Sequence, residues 1–173
     1  MAIQNIAVLG AGQMGNGITQ VAAAAGYNVT MIDIQQEYVD KGLATIERSL
    51  AKLVAKERMS QEDADATLAR ISLSTDRADC ADCDLVVEAV PEIVDLKTSI
   101  FAELDSICKP ETILASNTSS ISISTIADAT NRPDKVIGMH FMNPVPIMKL
   151  VEVINGNKTS SETNAAVIEA SEK

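Results

Sequence analysis

A short glycine-rich stretch at residues 10–15, Gly-Ala-Gly-Gln-Met-Gly, constrains the fold of this chain more than any other feature. It follows an apolar run at residues 6–9 and opens a segment whose apolar residues have helical spacing. That helical face consists of Met14, Ile18, Val21, Ala22 and Ala25. A second apolar run at 28–32 ends at Asp33. A dinucleotide-binding site requires this order of elements: a strand, a glycine turn, a helix and a second strand that ends at an acid. We therefore predict such a site.

Each glycine of this motif has its own role. Gly10 permits the tight turn, Gly12 lets the backbone approach a pyrophosphate, and Gly15 lets the helix pack closely on the strand. Residues 10–25 carry no charged side chain, so the free N–H groups and positive dipole end of the helix are available to phosphates. We predict cofactor contacts from Gly10, Gly12, Gln13, Met14 and Gly15. A plain strand–turn–helix connection is the alternative.

Asp33 indicates which dinucleotide the site would take. A carboxylate at the end of the second strand accepts hydrogen bonds from both hydroxyls of an adenosine ribose and repels a 2′-phosphate. The next residues are Ile34, Gln35 and Gln36, so no arginine in this segment is available for that phosphate. The sequence therefore favours NAD over NADP. A methyltransferase also combines a glycine loop with a ribose-binding acid, but the full spacing fits a dinucleotide better.

The composition is typical of a globular enzyme domain. The chain has 173 residues, 46% hydrophobic and 22% charged, which predicts one domain over residues 1–173. Its net charge of −10 argues against nucleic-acid binding. The first apolar run is too short for a signal peptide or a membrane span, so we expect a cytoplasmic protein that does not enter a membrane.

The three cysteines predict free thiols in a reducing compartment. Cys80 and Cys83 have the spacing of a redox or zinc half-site, but no second Cys/His pair accompanies them. The one histidine, His140, is distant in sequence, and nearby aspartates should disfavour a thiolate. We therefore expect Cys80, Cys83 and Cys108 to bind no metal.

The chain alternates between strand-like and helix-like segments. We predict strands at 3–9, 28–33, 84–90, 112–116, 135–141 and 149–154. We predict helices at 13–25, 36–57, 60–69, 92–107, 122–129 and from Ser160 onward. Ser60 should cap the third helix, with Asp63 three residues later. The alternation favours an α/β fold of the Rossmann type, with a doubly wound, mostly parallel sheet.

Two polar features lie outside the glycine motif. Around the end of the second helix, Arg48, Lys52, Lys56 and Arg58 face only one acid, Glu57. Ser49, Lys52 and Lys56 share a helical face, which predicts either a solvated basic surface or a site for phosphates of a large anionic substrate. Residues 116–120, Ser-Asn-Thr-Ser-Ser, follow an apolar strand, where ligands of open α/β sheets bind. Capping of the next helix is the alternative for these residues.

His140 and Glu152 form a candidate catalytic pair. His140 ends a strand at the same edge, although a lone histidine also has a purely structural interpretation. Strict alternation places Glu152 on a face with Leu150 and Ile154, and a carboxylate on an apolar face needs a partner. If the intervening turn folds the strands together, the pair would orient the imidazole and raise its basicity. Proton removal from an alcohol during hydride transfer to NAD requires such a base.

Four stretches resemble the 3-hydroxyacyl-CoA dehydrogenase family, and within it the bacterial 3-hydroxybutyryl-CoA dehydrogenases. They are the glycine motif, the 116–120 run, His-Phe-Met-Asn-Pro-Val-Pro at 140–146 and Lys-Leu-Val-Glu-Val at 149–153. The resemblance covers essentially the whole chain, although many members carry Phe where this chain has Met142. Family members continue into a helical C-terminal domain that closes the active site and forms a homodimer. We expect that this chain is truncated before that domain and is poorly active alone.

The resemblance implies an oxidoreductase of 3-hydroxyacyl-CoA, of short chains, in fatty acid or butyrate metabolism. It implies His140 as the general base, Glu152 as its partner, and Ser119 and Asn143 as ligands of the substrate oxygen. It implies NAD contacts at Asp33, Glu92, Lys97, Asn117 and Ser119. It also implies coenzyme A contacts at Ser49 and Lys56. Two alternatives remain open: an NAD-binding module without turnover, and a dehydrogenase of 3-hydroxy acids that carry no CoA.

Overall fold

The computed structural model describes residues 2–173 as one seven-stranded sheet with packed helices. The strands are β1 Asn5–Leu9, β2 Asn28–Ile32, β3 Ile71–Ser74, β4 Leu85–Glu88, β5 Ile113–Ser116, β6 Val136–Phe141 and β7 Val151–Asn155. The α-helices are α1 Gln13–Ala24, α2 Gln36–Ala55, α3 Gln61–Ala69, α4 Val94–Ile107, α5 Ile123–Ala127 and α6 Ser161–Ser171. Short 3-10 helices cover Arg77–Cys80 and Pro133–Lys135.

The strand order is β3-β2-β1-β4-β5-β6-β7. Neighbouring strands from β3 to β6 pair in parallel, and only β7 is antiparallel to its neighbour β6. This arrangement confirms the predicted doubly wound, mostly parallel sheet. The order of the strands reverses between β1 and β4, and ligands of such sheets bind at that point, beyond the carboxyl ends of the strands.

Both faces of the sheet are buried. In β1, Ile6 and Val8 belong to a core cluster with α1 and α6, whereas Ala7 and Leu9 belong to a cluster with α4 and α5. Two-sided burial explains why the parallel strands are continuous apolar runs rather than alternating ones. The packed core fixes the sheet edge at which the polar residues lie.

Most predicted elements are confirmed, with ends that differ by one or two residues. The Ser60 cap is confirmed, since its Oγ accepts a hydrogen bond from the Asp63 N–H at 3.0 Å. Strand β3 was missed, because four residues of an edge strand show too little periodicity to stand out. Helix α2 ends at Ala55 rather than at residue 57, because Glu57 adopts a left-handed φ of 58°.

Helix α4 begins two residues later than predicted. Its first residue is Val94, and Ile93, which lies just before the helix, is 55% exposed. Glu92 consequently lies in the loop between β4 and α4, at the ligand-binding edge of the sheet.

The environment of Glu152 also differs from the prediction. Leu150 precedes β7 and is 60% exposed, and Ile154 is 39% exposed, so the expected apolar face is open to solvent in the described chain. The alternation was predicted correctly, but it does not reveal whether another element covers a face.

The three cysteines are free, as predicted, and all three are buried. Burial is the main reason why their thiol pKa values are raised, and neighbouring thiols or aspartates add to it. The pKa of Cys83 and that of Cys108 rise to about 11, and the pKa of Cys80 rises further. Neutral, buried thiols are poor nucleophiles and poor metal ligands.

Candidate active site

A cavity of about 710 Å³ lies at the carboxyl ends of the strands, where β1 and β4 meet. It brings together most of the residues that the sequence and the resemblance assigned to cofactor and catalysis. These lining residues are Gly10, Gly12, Gln13, Met14, Asp33, Glu92, Lys97, Asn117, Ser119, His140 and Asn143. Ile34, Tyr38 and Met142 also line it. Ser49, Lys56, Gly15 and Glu152 are the predicted site residues outside this lining.

The glycine turn leaves open space at one position and none at another. A Cβ on Gly12 would meet no protein atom within 4 Å. A Cβ on Gly15 would lie 1.9 Å from the carbonyl oxygen of Gly10, and Gly10 itself has a φ of +107°. The first turn of α1 contains no acidic residue. The backbone of this turn can therefore approach a pyrophosphate, while Gly15 permits the close packing behind it.

Asp33 holds the glycine turn and still faces the cavity. Its Oδ2 accepts a hydrogen bond from the Ala11 N–H at 2.9 Å, and its Oδ1 accepts one from the Ile34 N–H at 2.7 Å. Each carboxylate oxygen has a further lone pair, so the group can also accept ribose hydroxyls. These contacts fit the adenosine half of a dinucleotide.

Arg77 lines a cavity together with Asp33, and the sequence analysis did not identify this residue. A second cavity of about 510 Å³ adjoins the glycine turn and is lined by Asp33, Ile34, Arg77 and Glu103, among others. The guanidinium group of Arg77 forms an ion pair with Glu103. Arg77 follows β3, the strand that was not predicted, so only the fold places this arginine in the cavity that Asp33 also lines.

Buried charges surround the start of α4. The Lys97 ammonium group, 1% exposed, lies 2.6 Å from Glu88 Oε2, 2.8 Å from Glu92 Oε1 and 3.2 Å from the carbonyl oxygen of Val90. Glu88 is fully buried. Partial burial of Glu92 favours its neutral form, but the hydrogen bonds from Lys97, Thr118 and Ser120 and the charge of Lys97 outweigh that effect. They lower the pKa of Glu92 to about 2.

The loop that follows β5 is fixed by its polar side chains. Glu92 Oε2 accepts hydrogen bonds from Thr118 Oγ1 at 2.8 Å, Ser120 Oγ at 3.0 Å and the Ser119 N–H at 3.3 Å. Asn117 Oδ1 accepts a hydrogen bond from the Phe141 N–H at 2.8 Å, which ties this loop to the end of β6. No Ser or Asn side chain in this run caps α5, since Ser122 is its N-cap residue without a side-chain cap bond.

His140 and Glu152 are direct neighbours across β6 and β7. The turn between the two strands folds them together, as the sequence analysis required. The imidazole Nδ1 lies 3.4 Å from Glu152 Oε1, with side-chain exposures of 24% and 52%. A carboxylate at Nδ1 selects the tautomer that leaves Nε2 free to accept a proton. His140 lines the cavity, and Glu152 reaches it only through His140.

Neither a metal site nor a membrane-spanning helix is found among the described residues. Within residues 2–173, no group of three or more His, Cys, Asp or Glu side chains is arranged to hold a metal ion. No helix in that same range has the length and apolar character needed to cross a membrane.

Fold and site together define a dinucleotide-binding domain of a dehydrogenase. One cavity at the switch point of the parallel sheet is lined by the glycine turn, by an acid that follows β2 and by a histidine that is paired with a carboxylate. The model of the family described as "3-hydroxyacyl-CoA dehydrogenase, NAD binding domain" matches residues 5–173. The chain belongs to this family, and its cofactor is NAD.

Several named proteins are similar to the chain. A probable 3-hydroxybutyryl-CoA dehydrogenase of Deinococcus radiodurans is 54% identical over 166 residues, which is 96% of this chain and 59% of that protein. One of Bacillus subtilis is 49% identical over 100% of this chain and 60% of its own length. The crystal structure of (S)-3-hydroxybutyryl-CoA dehydrogenase PaaH1 from Ralstonia eutropha superimposes with a TM-score of 0.97 at 48% identity, covering 99% of this chain and 60% of that one. The chain thus spans about 60% of the length of these relatives.

Proposed function

We propose that this chain is the NAD-binding part of an enzyme that interconverts 3-hydroxyacyl-CoA and 3-ketoacyl-CoA, with 3-hydroxybutyryl-CoA and acetoacetyl-CoA as the substrate pair. The observation that carries the proposal is the His140–Glu152 pair at the end of the NAD cavity opposite to Asp33. A domain that only binds NAD has no need for a paired imidazole there. The names of the relatives supply the substrate class.

The chain's residues divide the chemistry between them. NAD, when bound, supplies the hydride acceptor for C3 of the substrate. His140 Nε2 accepts the proton of the 3-hydroxyl group, and the negative charge of Glu152 stabilises the imidazolium that forms. In the reverse direction the protonated His140 donates that proton to the 3-keto oxygen. Ser119 and Asn143, both in the cavity lining, are proposed to hydrogen-bond the same oxygen.

The cofactor contacts follow the same cavity. The open space at Gly12 accommodates the pyrophosphate, and Asp33 accepts the hydroxyls of the adenosine ribose. We assign Glu92, Lys97, Asn117 and Ser119 to the nicotinamide end, because they line the cavity around the ends of β4 and β5. The Lys97 N–H groups are directed at protein acceptors, so its proposed contact with NAD is through the side chain as part of the cavity wall.

Coenzyme A is proposed to bind the basic stripe of α2 through Ser49 and Lys56. Lys56 is exposed just after the last turn of the helix. Among residues 2–173, no ion pair engages Arg48, Lys52, Lys56 or Arg58. Phosphates of a bound CoA would supply the missing counter-charge. A helix C-terminus also favours basic residues by itself, so a CoA site requires that Lys56→Ala weakens the binding of CoA esters.

The proposal is tested by following NADH oxidation with acetoacetyl-CoA. The test is made on the 173-residue chain and on a version extended to the length of its relatives. His140→Gln in the extended version should lower turnover roughly 100-fold or more, the usual contribution of a general acid–base. NAD affinity should change little. Glu152→Gln keeps the volume of the side chain and removes its charge. It should lower turnover less than His140→Gln does, and it should shift the pH–rate profile, because the apparent pKa in that profile belongs to the His140–Glu152 pair. Full activity of His140→Gln would refute the mechanism.

Two alternatives have distinct outcomes in the same experiment. An NAD-binding module would bind NAD but show no turnover in either version. A dehydrogenase of CoA-free acids would reduce acetoacetate and show no affinity for free coenzyme A.

We further propose, from the resemblance and the free thiols, a cytoplasmic homodimer in fatty acid or butyrate metabolism. Size-exclusion chromatography with light scattering of the extended version measures the oligomeric state.

A further inference from the structure

The fully buried carboxylate of Glu88 has no part in the mechanism above. It ends β4 and accepts hydrogen bonds from Ser116 Oγ at 2.6 Å, the Val90 N–H at 2.8 Å and the Lys97 ammonium group at 2.6 Å. Its position is explained by register, because Glu88 and Ser116 are paired residues of β4 and β5. A buried charge is costly unless its partners are well placed, so this cluster demands a specific geometry.

Two routes lead from Glu88 to the same loop. In the first, Lys97 joins Glu88 to Glu92, and Glu92 accepts hydrogen bonds from Thr118, Ser120 and the backbone of Ser119. In the second, Ser116 donates to Glu88 and accepts a hydrogen bond from the Thr118 N–H at 3.2 Å. The loop 118–120 has no regular secondary structure, so its conformation depends on these bonds and on those that Thr118 Oγ1 accepts from the N–H groups of Ser120 at 3.4 Å and Ile121 at 3.0 Å.

This loop forms the end of the cavity that is remote from Asp33. Asp33 binds the adenosine half, so Ser119 and His140 are left to face the nicotinamide half and the substrate. We propose that Glu88 is a positioning residue for the nicotinamide end: it orients Lys97, which orients Glu92, which fixes the backbone of Ser119. The proposal rests on NAD binding in this cavity. It differs from a merely stabilising role because it predicts an effect confined to one half of the cofactor.

The test compares NAD with ADP, which lacks the nicotinamide riboside, as ligands of the 173-residue chain in calorimetric titrations. Glu88→Gln keeps the shape and removes the charge. It should weaken NAD binding about tenfold, the equivalent of one lost or displaced hydrogen bond, and leave ADP binding within about twofold. Thr118→Val removes the hydroxyl that donates to Glu92 and accepts from the Ile121 N–H, without removing a buried charge. It should show the same selective loss.

Asp84→Asn is the matched control. Asp84 lies just before β4, at the opposite end of the strand, and its carboxylate forms an ion pair with Lys109 at 2.8 Å. This variant should lower the melting temperature while leaving the affinities for NAD and ADP unchanged.

The proposal would be overturned if Glu88→Gln weakened the binding of NAD and ADP equally, or if it changed only the melting temperature. If Glu88→Gln does not fold, unchanged NAD affinity in Thr118→Val overturns it. Wild-type chain that binds ADP but not NAD would instead contradict the assignment of the nicotinamide end.

Discussion

At the scale of single residues, Asp33 is expected to determine the choice of cofactor. Asp33→Ala should weaken NAD binding roughly tenfold or more, because a charged hydrogen bond to the cofactor is lost. It should also narrow the preference for NAD over NADP, because the carboxylate that repels a 2′-phosphate is gone. The nearby Arg77 is paired with Glu103, so it should not rescue NADP in the wild type. Dissociation constants for NAD and NADP measure both effects. A wild-type preference for NADP would contradict this assignment.

Asp33→Ala also removes the bond to the Ala11 N–H, so part of its effect arises from a loosened glycine turn. Asp33→Asn separates the two contributions, since its amide oxygen can keep that bond. Asp40→Ala is the control, because Asp40 is an exposed carboxylate of α2 outside the cavity lining. Its NAD affinity should equal that of the wild type.

Lys56 tests the interpretation of the basic stripe. Lys56→Ala should weaken the binding of CoA esters about two- to fivefold at low salt, as expected for an exposed charge, and leave NAD binding unchanged. The difference should shrink as salt screens the contact. Lys41→Ala serves as a control, since Lys41 is an exposed lysine near the start of the same helix and pairs with Glu37. If Lys56→Ala and Lys41→Ala bind CoA esters equally well, the stripe is only a solvated surface.

At the scale of the elements, two glycines of the same turn have different roles: Gly12 leaves room for the cofactor, and Gly15 permits the close packing of α1. Gly12→Ala should leave the melting temperature unchanged, because its Cβ meets no protein atom within 4 Å and its backbone is extended. It should nevertheless weaken NAD binding, since the Cβ would occupy the space that we propose for the pyrophosphate. Gly15→Ala places a Cβ 1.9 Å from the Gly10 carbonyl oxygen and should lower the melting temperature by about 3–10 °C. Thermal melts with and without NAD measure both. A destabilised Gly12→Ala protein would refute this division.

The sequence alone predicted the elements whose signals are local. The glycine turn, the Ser60 cap and the meeting of His140 with Glu152 follow from motif, spacing and alternation. Strand β3 was not predicted, because an edge strand of four residues is defined by its partner β2 rather than by its own pattern. Arg77 was therefore missed as well, since its place in the cavity beside the glycine turn depends on β3.

The Glu88 cluster marks a different limit of sequence reasoning. Glu88 is the only charged residue of β4, and a carboxylate in an apolar strand was a visible signal. Its partners Lys97 and Ser116 lie 9 and 28 residues away and meet it through register and helix packing. The sequence predicted that polar residues collect at this edge, and only the tertiary structure specifies which of them bind one another.

At the scale of the whole molecule, the paired carboxylates predict a loss of stability in acid. Glu92 has a pKa of about 2 in the folded chain, against an ordinary value of 4.5. Burial favours the neutral form of Asp84, but hydrogen bonds from Lys109 and from two backbone N–H groups outweigh it and lower its pKa below 3.8. A carboxyl group with a lowered pKa stabilises the folded state fully above its unfolded pKa, and this contribution is lost as the pH falls towards the folded pKa. The free energy of unfolding should therefore fall between about pH 4.5 and pH 2.

Variants identify which groups cause that fall. Glu92→Gln and Asp84→Asn should each be less stable than the wild type at pH 7 and should lose less stability on acidification, because the group that takes up the proton on unfolding is gone. Glu47→Gln, which changes an exposed carboxylate of α2, should follow the wild-type curve. Urea titrations at several pH values measure the free energies. If all three variants run parallel to the wild type down to pH 2, the acid sensitivity lies in the net charge of the chain and not in these pairs.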